Sequence, residues 1–259
     1  MNALLTTRGL DVSIAGTGVC RGLDLQIDRG SRWAVLGRNG CGKTTLLKTL
    51  AGLHPHDAGV ITLAGKNLEA VPRAQLARIL GILFQEQDSL FPGNVLEAAL
   101  IGRHPYLAAW RRESGEDVER ARAALAQVGL AGKESRVLST LSGGERQRLA
   151  IATLLTQDPE LCLLDEPSTH LDLYHQIHIL RILRESTRGG GKALVMVLHD
   201  VNLAARYCDH ALLLFDPETQ VHGPIGEVLT EENLFRLYGH PMRRLVTEEG
   251  EIFSPAWGD

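Results

Sequence analysis

Gly37-Arg38-Asn39-Gly40-Cys41-Gly42-Lys43-Thr44 fits the phosphate-loop pattern G-x-x-x-x-G-K-[ST]. The run before it, Trp33-Ala34-Val35-Leu36, reads as a short buried strand. Thr45-Leu46-Leu47-Lys48-Thr49-Leu50 after it reads as the start of a helix. A strand, a glycine-rich turn and a helix together favour phosphate binding over an ordinary turn. Glycines let the backbone fold tightly enough to aim its N–H groups at an anion. The helix N-terminus adds partial positive charge at the same place. Lys43 is then placed to reach terminal phosphates, and the Thr44 hydroxyl to ligate Mg²⁺. Gly37, Arg38, Asn39, Gly40, Cys41, Gly42 and Thr45 complete the candidate phosphate site.

The chain around this loop has 259 residues, 44% hydrophobic and 22% charged. That composition is ordinary for a globular protein, and the length suits one large domain or one domain with an insertion. A net charge of -4 argues against a general nucleic-acid binder, which carries a basic excess. No apolar run reaches membrane-spanning length. The start, Met1-Asn2-Ala3-Leu4-Leu5, lacks the apolar core and basic flank of a signal peptide. The expectation is a cytosolic protein that meets a membrane only through a partner. Cys20, Cys41, Cys162 and Cys208 show no C-x-x-C spacing, so neither a disulfide framework nor a zinc site is expected. Cys162 reads as a small buried hydrophobe. Cys41, at a helix N-terminus, is a candidate reactive thiol.

Leu23, Leu25 and Ile27 alternate with Asp24, Gln26 and Asp28, the mark of a half-buried antiparallel strand. Further on, apolar runs at 33–36, 79–84, 161–164, 194–198 and 211–215 alternate with helical segments. This predicts an α/β sheet with a parallel core. Strand signals vanish between about 86 and 157. There Val95, Ala98, Ala99 and Leu100 predict one helix. Asp117–Val128 predicts a second, with Val118, Ala121, Leu125 and Val128 on one face, and Ser142–Thr156 a third. His104–Gly115 reads as a loop or broken helix, and Gly189-Gly190-Gly191 as a helix stop. Arg243–Val246 and Glu251–Phe253 are weak strand runs. The organisation expected is one domain, 1–259, with a nucleotide-binding core at 1–85 and 158–259 and a helical insertion at 86–157.

Asp165 ends the apolar run Leu161-Cys162-Leu163-Leu164, and Glu166 follows it. A carboxylate at such a strand end faces the phosphate loop in α/β folds. Asp165 suits Mg²⁺, and Glu166 suits a general base for an attacking water. An isolated Asp-Glu pair would merely end a strand; the loop upstream tips the reading. Ser142 followed by Glu145 is a capping box. It places Gly143 and Gly144 in the first turn of a helix, a second anion-ready terminus.

Leu141-Ser142-Gly143-Gly144-Glu145-Arg146-Gln147-Arg148 and the run ending in Asp165-Glu166 resemble the signature and Walker B segments of the ATP-binding cassette family, the motor subunits of membrane transporters. The resemblance continues through Gln85 (Q-loop), Ser168-Thr169-His170-Leu171-Asp172 (D-loop) and His199 (switch histidine), in family order over most of the chain. It implies a P-loop NTPase core of RecA-like type, with an N-terminal antiparallel β-subdomain and an inserted α-helical subdomain. It implies a head-to-tail homodimer that sandwiches two ATP molecules. In that dimer Ser142, Gly143 and Gly144 of one copy would bind the γ-phosphate held by the other, and Asp172 would act across the seam. His199 would bond the γ-phosphate and help fix Glu166 and the water. Gln85 would bind Mg²⁺ or that water and link core to insertion. Arg146 and Arg148 would pair with nearby carboxylates.

Several features depart from or add to this pattern. Ile14 stands where the family has an adenine-stacking aromatic, so relaxed base selectivity is expected. His175 and His178, three apart on a helix, could bind metal but lack a third ligand. Phe91-Pro92 fits either core packing or the family's grip on its membrane subunit. Gly102-Arg103-His104-Pro105-Tyr106, His199-Asp200-Val201-Asn202 and Asp172-Leu173-Tyr174-His175-Gln176-Ile177 resemble importers of iron–siderophores, haem or vitamin B12. Such proteins imply a transmembrane permease dimer, an external substrate-binding protein and a peripheral place on the cytoplasmic side of the inner membrane. A soluble family member in translation or repair would add a second cassette, coiled coil or basic extension. A nucleotide kinase has no use for the Leu141-Ser142-Gly143-Gly144 segment. A binding module without hydrolysis would be expected to lack Glu166 or His199.

Overall fold

The computed structural model describes residues 3–85, 92–107, 112–248 and 250–256. In chain order these form β1 (Ala3–Ile14), β2 (Thr17–Asp28), β3 (Arg32–Gly37), α1 (Lys43–Leu50), β4 (Ala58–Leu63), β5 (Lys66–Asn67), α2 (Arg73–Ile79) and β6 (Leu80–Leu83). Then follow α3 (Val95–Leu100), α4 (Gly115–Gln127), α5 (Gly143–Gln157), β7 (Leu161–Asp165), α6 (Leu173–Ser186) and β8 (Ala193–Val197). The chain ends with α7 (Val201–Tyr207), β9 (His210–Asp216), β10 (Thr219–Pro224), α8 (Ile225–Val228), α9 (Glu231–Tyr238), β11 (Met242–Thr247) and β12 (Gly250–Pro255). Contacts divide the chain into two compact units, Met1–Val71 with Thr187–Asp259, and Pro72–Ser186.

The first unit carries an antiparallel sheet, β2-β1-β4-β5. Leu23, Leu25 and Ile27 of β2 are at most 4% exposed while Asp24 and Gln26 face solvent, as the alternation predicts. The same unit holds β3 between β8 and β9, all three parallel, with β10 antiparallel on β9. Both faces of β3 are covered, which is why its sequence is an unbroken apolar run and not an alternating one. The two weak strand runs of the tail are real and pair as the hairpin β11–β12.

The second unit pairs β6 with β7 in parallel and carries α3, α4 and α5, which pack on one another. Each of these helices opens with a reciprocal capping box: Asn94 with Glu97, Ser114 with Asp117, Ser142 with Glu145. Each cap contributes about 1 kcal/mol. On α4 the buried face is Asp117, Ala121, Ala124 and Leu125, with Val118 only half-buried. Asp117 takes the inner place because Arg103 Nε donates to it at 2.7 Å while Ser114 and its N–H also donate to it. The expected broken helix at 104–115 is a 3-10 turn over Ile101–Tyr106, and residues 108–111 lie outside the described ones. No helix among the described residues is long and apolar enough to cross a membrane.

Candidate functional site

Lys43, the first residue of α1, and His199, on the link after β8, follow the same ends of neighbouring parallel strands. Val35 of β3 is in register with Val197 of β8, and the Leu198 N–H donates to the Val35 carbonyl at 3.2 Å. Ligands of open α/β sheets gather at these carboxyl ends. The loop after β3 is glycine-dependent in a specific way. Gly42 has φ +93°, and a Cβ on it would sit 2.5 Å from Val19 Cγ2. A Cβ on Gly37 would sit 2.5 Å from Cys41 Sγ and 3.0 Å from the Leu214 carbonyl. The loop is therefore folded back on itself with no room for side chains. Gly42 is also the N-cap of α1, and it has no side chain to consume the N–H groups of the first turn.

Lys43 is buried, and its ammonium donates to the carbonyls of Gly37 at 2.9 Å and Arg38 at 3.0 Å. It spans the mouth of the loop, where it can exchange these carbonyls for phosphate oxygens. Arg38, Asn39 and Gly40 are exposed, Cys41, Gly42 and Thr44 half-buried, and Thr45 buried. His199 is exposed. Ile14 is 45% exposed at the end of β1.

The second unit repeats the strand-end arrangement. Leu83 of β6 is in register with Leu164 of β7, so Gln85 and Glu166 each follow the carboxyl end of one strand of a parallel pair. Asp165 is 1% exposed. Glu166 has φ +51°, a left-handed conformation that non-glycine residues rarely adopt and that clusters at functional sites. The turn is held by side chains. Thr169 Oγ1 donates to Glu166 Oε2 at 2.9 Å. Gln147 Nε2 of α5 donates to the Pro167 carbonyl at 3.1 Å and to that of Glu166 at 3.4 Å. These two positioning contacts are not legible in the sequence, although Gln147 lies in the segment 141–148 and Thr169 in 168–172.

Ser142 accepts the N–H of Glu145, and Glu145 accepts that of Ser142. Gly143 and Gly144 lie between them in the first turn of α5, with backbone only. A Cβ on Gly144 would lie 3.1 Å from the His170 carbonyl, so this helix tip and the D-loop are in contact. Asp172 is exposed; its Oδ1 takes the N–H of His175 at 2.8 Å and the His175 ring at 2.9 Å. One expectation fails. Arg148 does not pair with carboxylates but donates to the carbonyls of Val128 and Gly129, at 3.1 and 3.2 Å, which cluster at the C-terminal end of α4 where a cation is favoured. His178 is bonded to the Gln127 carbonyl, and no metal-binding cluster occurs among the described residues.

Glu145 is also gripped by Lys133 at 2.6 Å and Arg136 at 2.8 Å. The Lys133 bond, followed by the Ser142 N–H, lowers its carboxyl to about 2 from 4.5. A carboxylate lowered on folding stabilises above its unfolded value and loses that contribution as pH falls through the folded value. Glu145→Gln is therefore expected to melt about 2–4 °C below wild type at pH 7. The gap should close between pH 4.5 and about 2. A pH-independent gap in calorimetry would show that the ion pairs are not the cause.

Cys41 Sγ lies inside the phosphate loop, against Gly37. Alkylation there should abolish nucleotide binding, and saturating ATP should slow the alkylation about tenfold or more. Equal sensitivity in Cys41→Ser, read as residual binding after treatment, would locate the reactive thiol elsewhere.

Residues 20–169 match the ABC transporter family. The chain is 40% identical over 227 residues to the achromobactin transport ATP-binding protein CbrD of Dickeya dadantii (strain 3937), covering 88% of this chain and 84% of that one. It is 37% identical over 239 residues to the ferric enterobactin transport ATP-binding protein FepC of Escherichia coli (strain K12), covering 92% and 87%. Among solved structures, a metal-chelate type ABC transporter in an inward-facing conformation matches with TM-score 0.84 at 29% identity, over 99% of this chain and 98% of the other. A dimeric ATP-binding cassette in a post-hydrolysis state with ADP and Pi matches with TM-score 0.74 at 25% identity, over 85% and 98%. The chain belongs to the ABC transporter family, and its fold is that of the family's ATPase domain.

Proposed function

We propose that this chain is the ATP-hydrolysing subunit of an importer for an iron–siderophore, haem or cobalamin. One observation carries the reading. The phosphate loop, Ser142-Gly143-Gly144, Asp165-Glu166 and His199 all stand at strand ends or a helix tip, in a chain about two-fifths identical, over most of its length, to siderophore-transport ATP-binding proteins.

ATP is the substrate, held by residues 37–45, with Lys43 on the terminal phosphates. The candidate Mg²⁺ donors are the Thr44 hydroxyl, the Gln85 amide oxygen and the Asp165 carboxylate. All are hard oxygen atoms, the set this cation prefers. Bound Mg²⁺ supplies charge neutralisation at the phosphates. Glu166 accepts a proton from the attacking water, and His199 donates to the γ-phosphate. Ser142, Gly143 and Gly144 complete the site from a second copy, with Asp172 beside that seam. Ile14 replaces aromatic stacking on the base with aliphatic packing, which relaxes base selectivity. Two copies dock on a permease dimer at the cytoplasmic face of the inner membrane, and an external binding protein delivers the cargo.

Deleting the chain from its host and measuring uptake of ferric siderophore, haem and cobalamin tests this. Loss of uptake of one of the three, restored by the wild-type chain but not by Lys43→Ala, is the expected result. Undiminished uptake of all three would refute the importer reading while leaving ATP hydrolysis intact.

A further inference from the structure

The C-terminal segment is tied to both catalytic loops of the first unit. Asn202, in the first turn of α7, spends both ends of its amide on one residue of β12. Its Nδ2 donates to the Phe253 carbonyl at 3.1 Å, and its Oδ1 accepts the Phe253 N–H at 2.7 Å. A side chain here performs the two-point pairing that a strand would otherwise make. Phe253 is itself 2% exposed, so the pairing is anchored by a buried ring. One helix earlier, Arg38 Nε of the phosphate loop donates to the Leu237 carbonyl at 3.0 Å, in the last turn of α9 where a cation is favoured. The next residue, Tyr238, holds its hydroxyl 3.5 Å from the His199 carbonyl. Burial pushes that phenol up to about 12, so it stays a donor.

We infer that Asn202 is a positioning residue for His199, holding α7 on β12 and thereby setting where the histidine stands. The inference rests on the reading of His199 as a partner of the γ-phosphate. His199 is exposed and sits on the short link between β8 and α7; the Tyr238 hydroxyl bonds its carbonyl, and the course of the link follows those two elements. On the strand side, Leu198 is tied to Val35. On the helix side, Asp200 caps α7 by accepting the N–H groups of Asn202 at 2.7 Å and Leu203 at 3.4 Å. That cap holds the first turn together but does not orient it. A helix of seven residues is too short to persist alone and takes its orientation from packing. Asn202 with Phe253 supplies a directional contact between α7 and the hairpin. Arg38 is tied to α9 separately, so loosening α7 leaves the phosphate loop in place.

The two anchors therefore separate in kinetics. Steady-state ATPase of the full chain is compared for wild type, Asn202→Ala, Asn202→Asp and His199→Ala. Asn202→Ala is expected to lower kcat about tenfold, since a displacement well under 1 Å at a reacting group costs that much. KM for ATP should stay within about twofold. Asn202→Asp keeps volume and the acceptor for the Phe253 N–H but loses the donor. Its second carboxylate oxygen then faces the Phe253 carbonyl at the place of the donor, so the loss should be at least as large with the same unchanged KM, and its near-identical shape guards against a folding artefact. A kcat within about twofold of wild type in both variants, or a loss shared between kcat and KM, overturns the inference. Inactive His199→Ala beside fully active Asn202 variants would overturn it alone. Full turnover in His199→Ala would instead remove the reading of His199, and this inference with it.

Discussion

Glu166→Gln is expected to lower ATP turnover by about 10²–10⁴-fold, the usual weight of a positioned general base, while ATP remains bound. The substitution is nearly isosteric, so the Thr169 hydroxyl keeps an oxygen to donate to, and Gln147 still grips the Pro167 and Glu166 carbonyls. The left-handed turn at Glu166 costs a glutamine no more than a glutamate. What disappears is the capacity to take a proton. Because binding survives and release after hydrolysis does not occur, two copies should accumulate as an ATP-bound dimer. Size-exclusion chromatography with bound-nucleotide analysis reads this directly. A variant that stays monomeric in saturating ATP, while wild type hydrolyses normally, would rule out the sandwich.

Gly144→Asp is expected to lower turnover by about 10³-fold or more, comparable to removing charge stabilisation supplied in trans. Nucleotide affinity of the separate chain should remain near wild type, because the phosphate loop is untouched. An aspartate in the first turn of a helix suits the local dipole, so α5 should still form. The Cβ would press on the His170 carbonyl at 3.1 Å, a shift of a few tenths of an ångström. The damage should therefore lie in like-charge repulsion of a γ-phosphate on the facing copy. Wild-type turnover per chain should also fall on dilution. Concentration-independent turnover, with Gly144→Asp fully active, would mean that each chain completes its own site.

Legibility differed with the kind of physics involved. β3 and β7 were readable because a strand covered on both faces must be apolar throughout. The start of α5 was readable because a Ser with a Glu three residues on has a local mechanism. The same signal stood at Asn94 and Ser114 and went unread: there the boxes cap with Asn, or close with Asp in place of Glu. Contacts between distant residues were beyond reach. Lys133 and Arg136 close on Glu145 from 12 and 9 residues away. Arg148 looked like a partner for carboxylates, yet it serves the carbonyls at the end of α4, which no composition or spacing reveals. Asn202 lies in a segment that resembles importers, but its use depends on a strand 51 residues later. Phe91 lies outside the described residues.

The grip of Gln147 on the turn behind Glu166 has a consequence for timing. In the proposed sandwich one end of α5 is the tip offered to the neighbouring copy, and its next turn, through Gln147, holds the segment that carries the proposed proton acceptor Glu166. A neighbour's nucleotide pressing on that tip would tug the home acceptor through a single rigid lever. Firing at one chamber would then be reported to the other, and in the proposed complex the pair would keep step without any messenger passing through the permease.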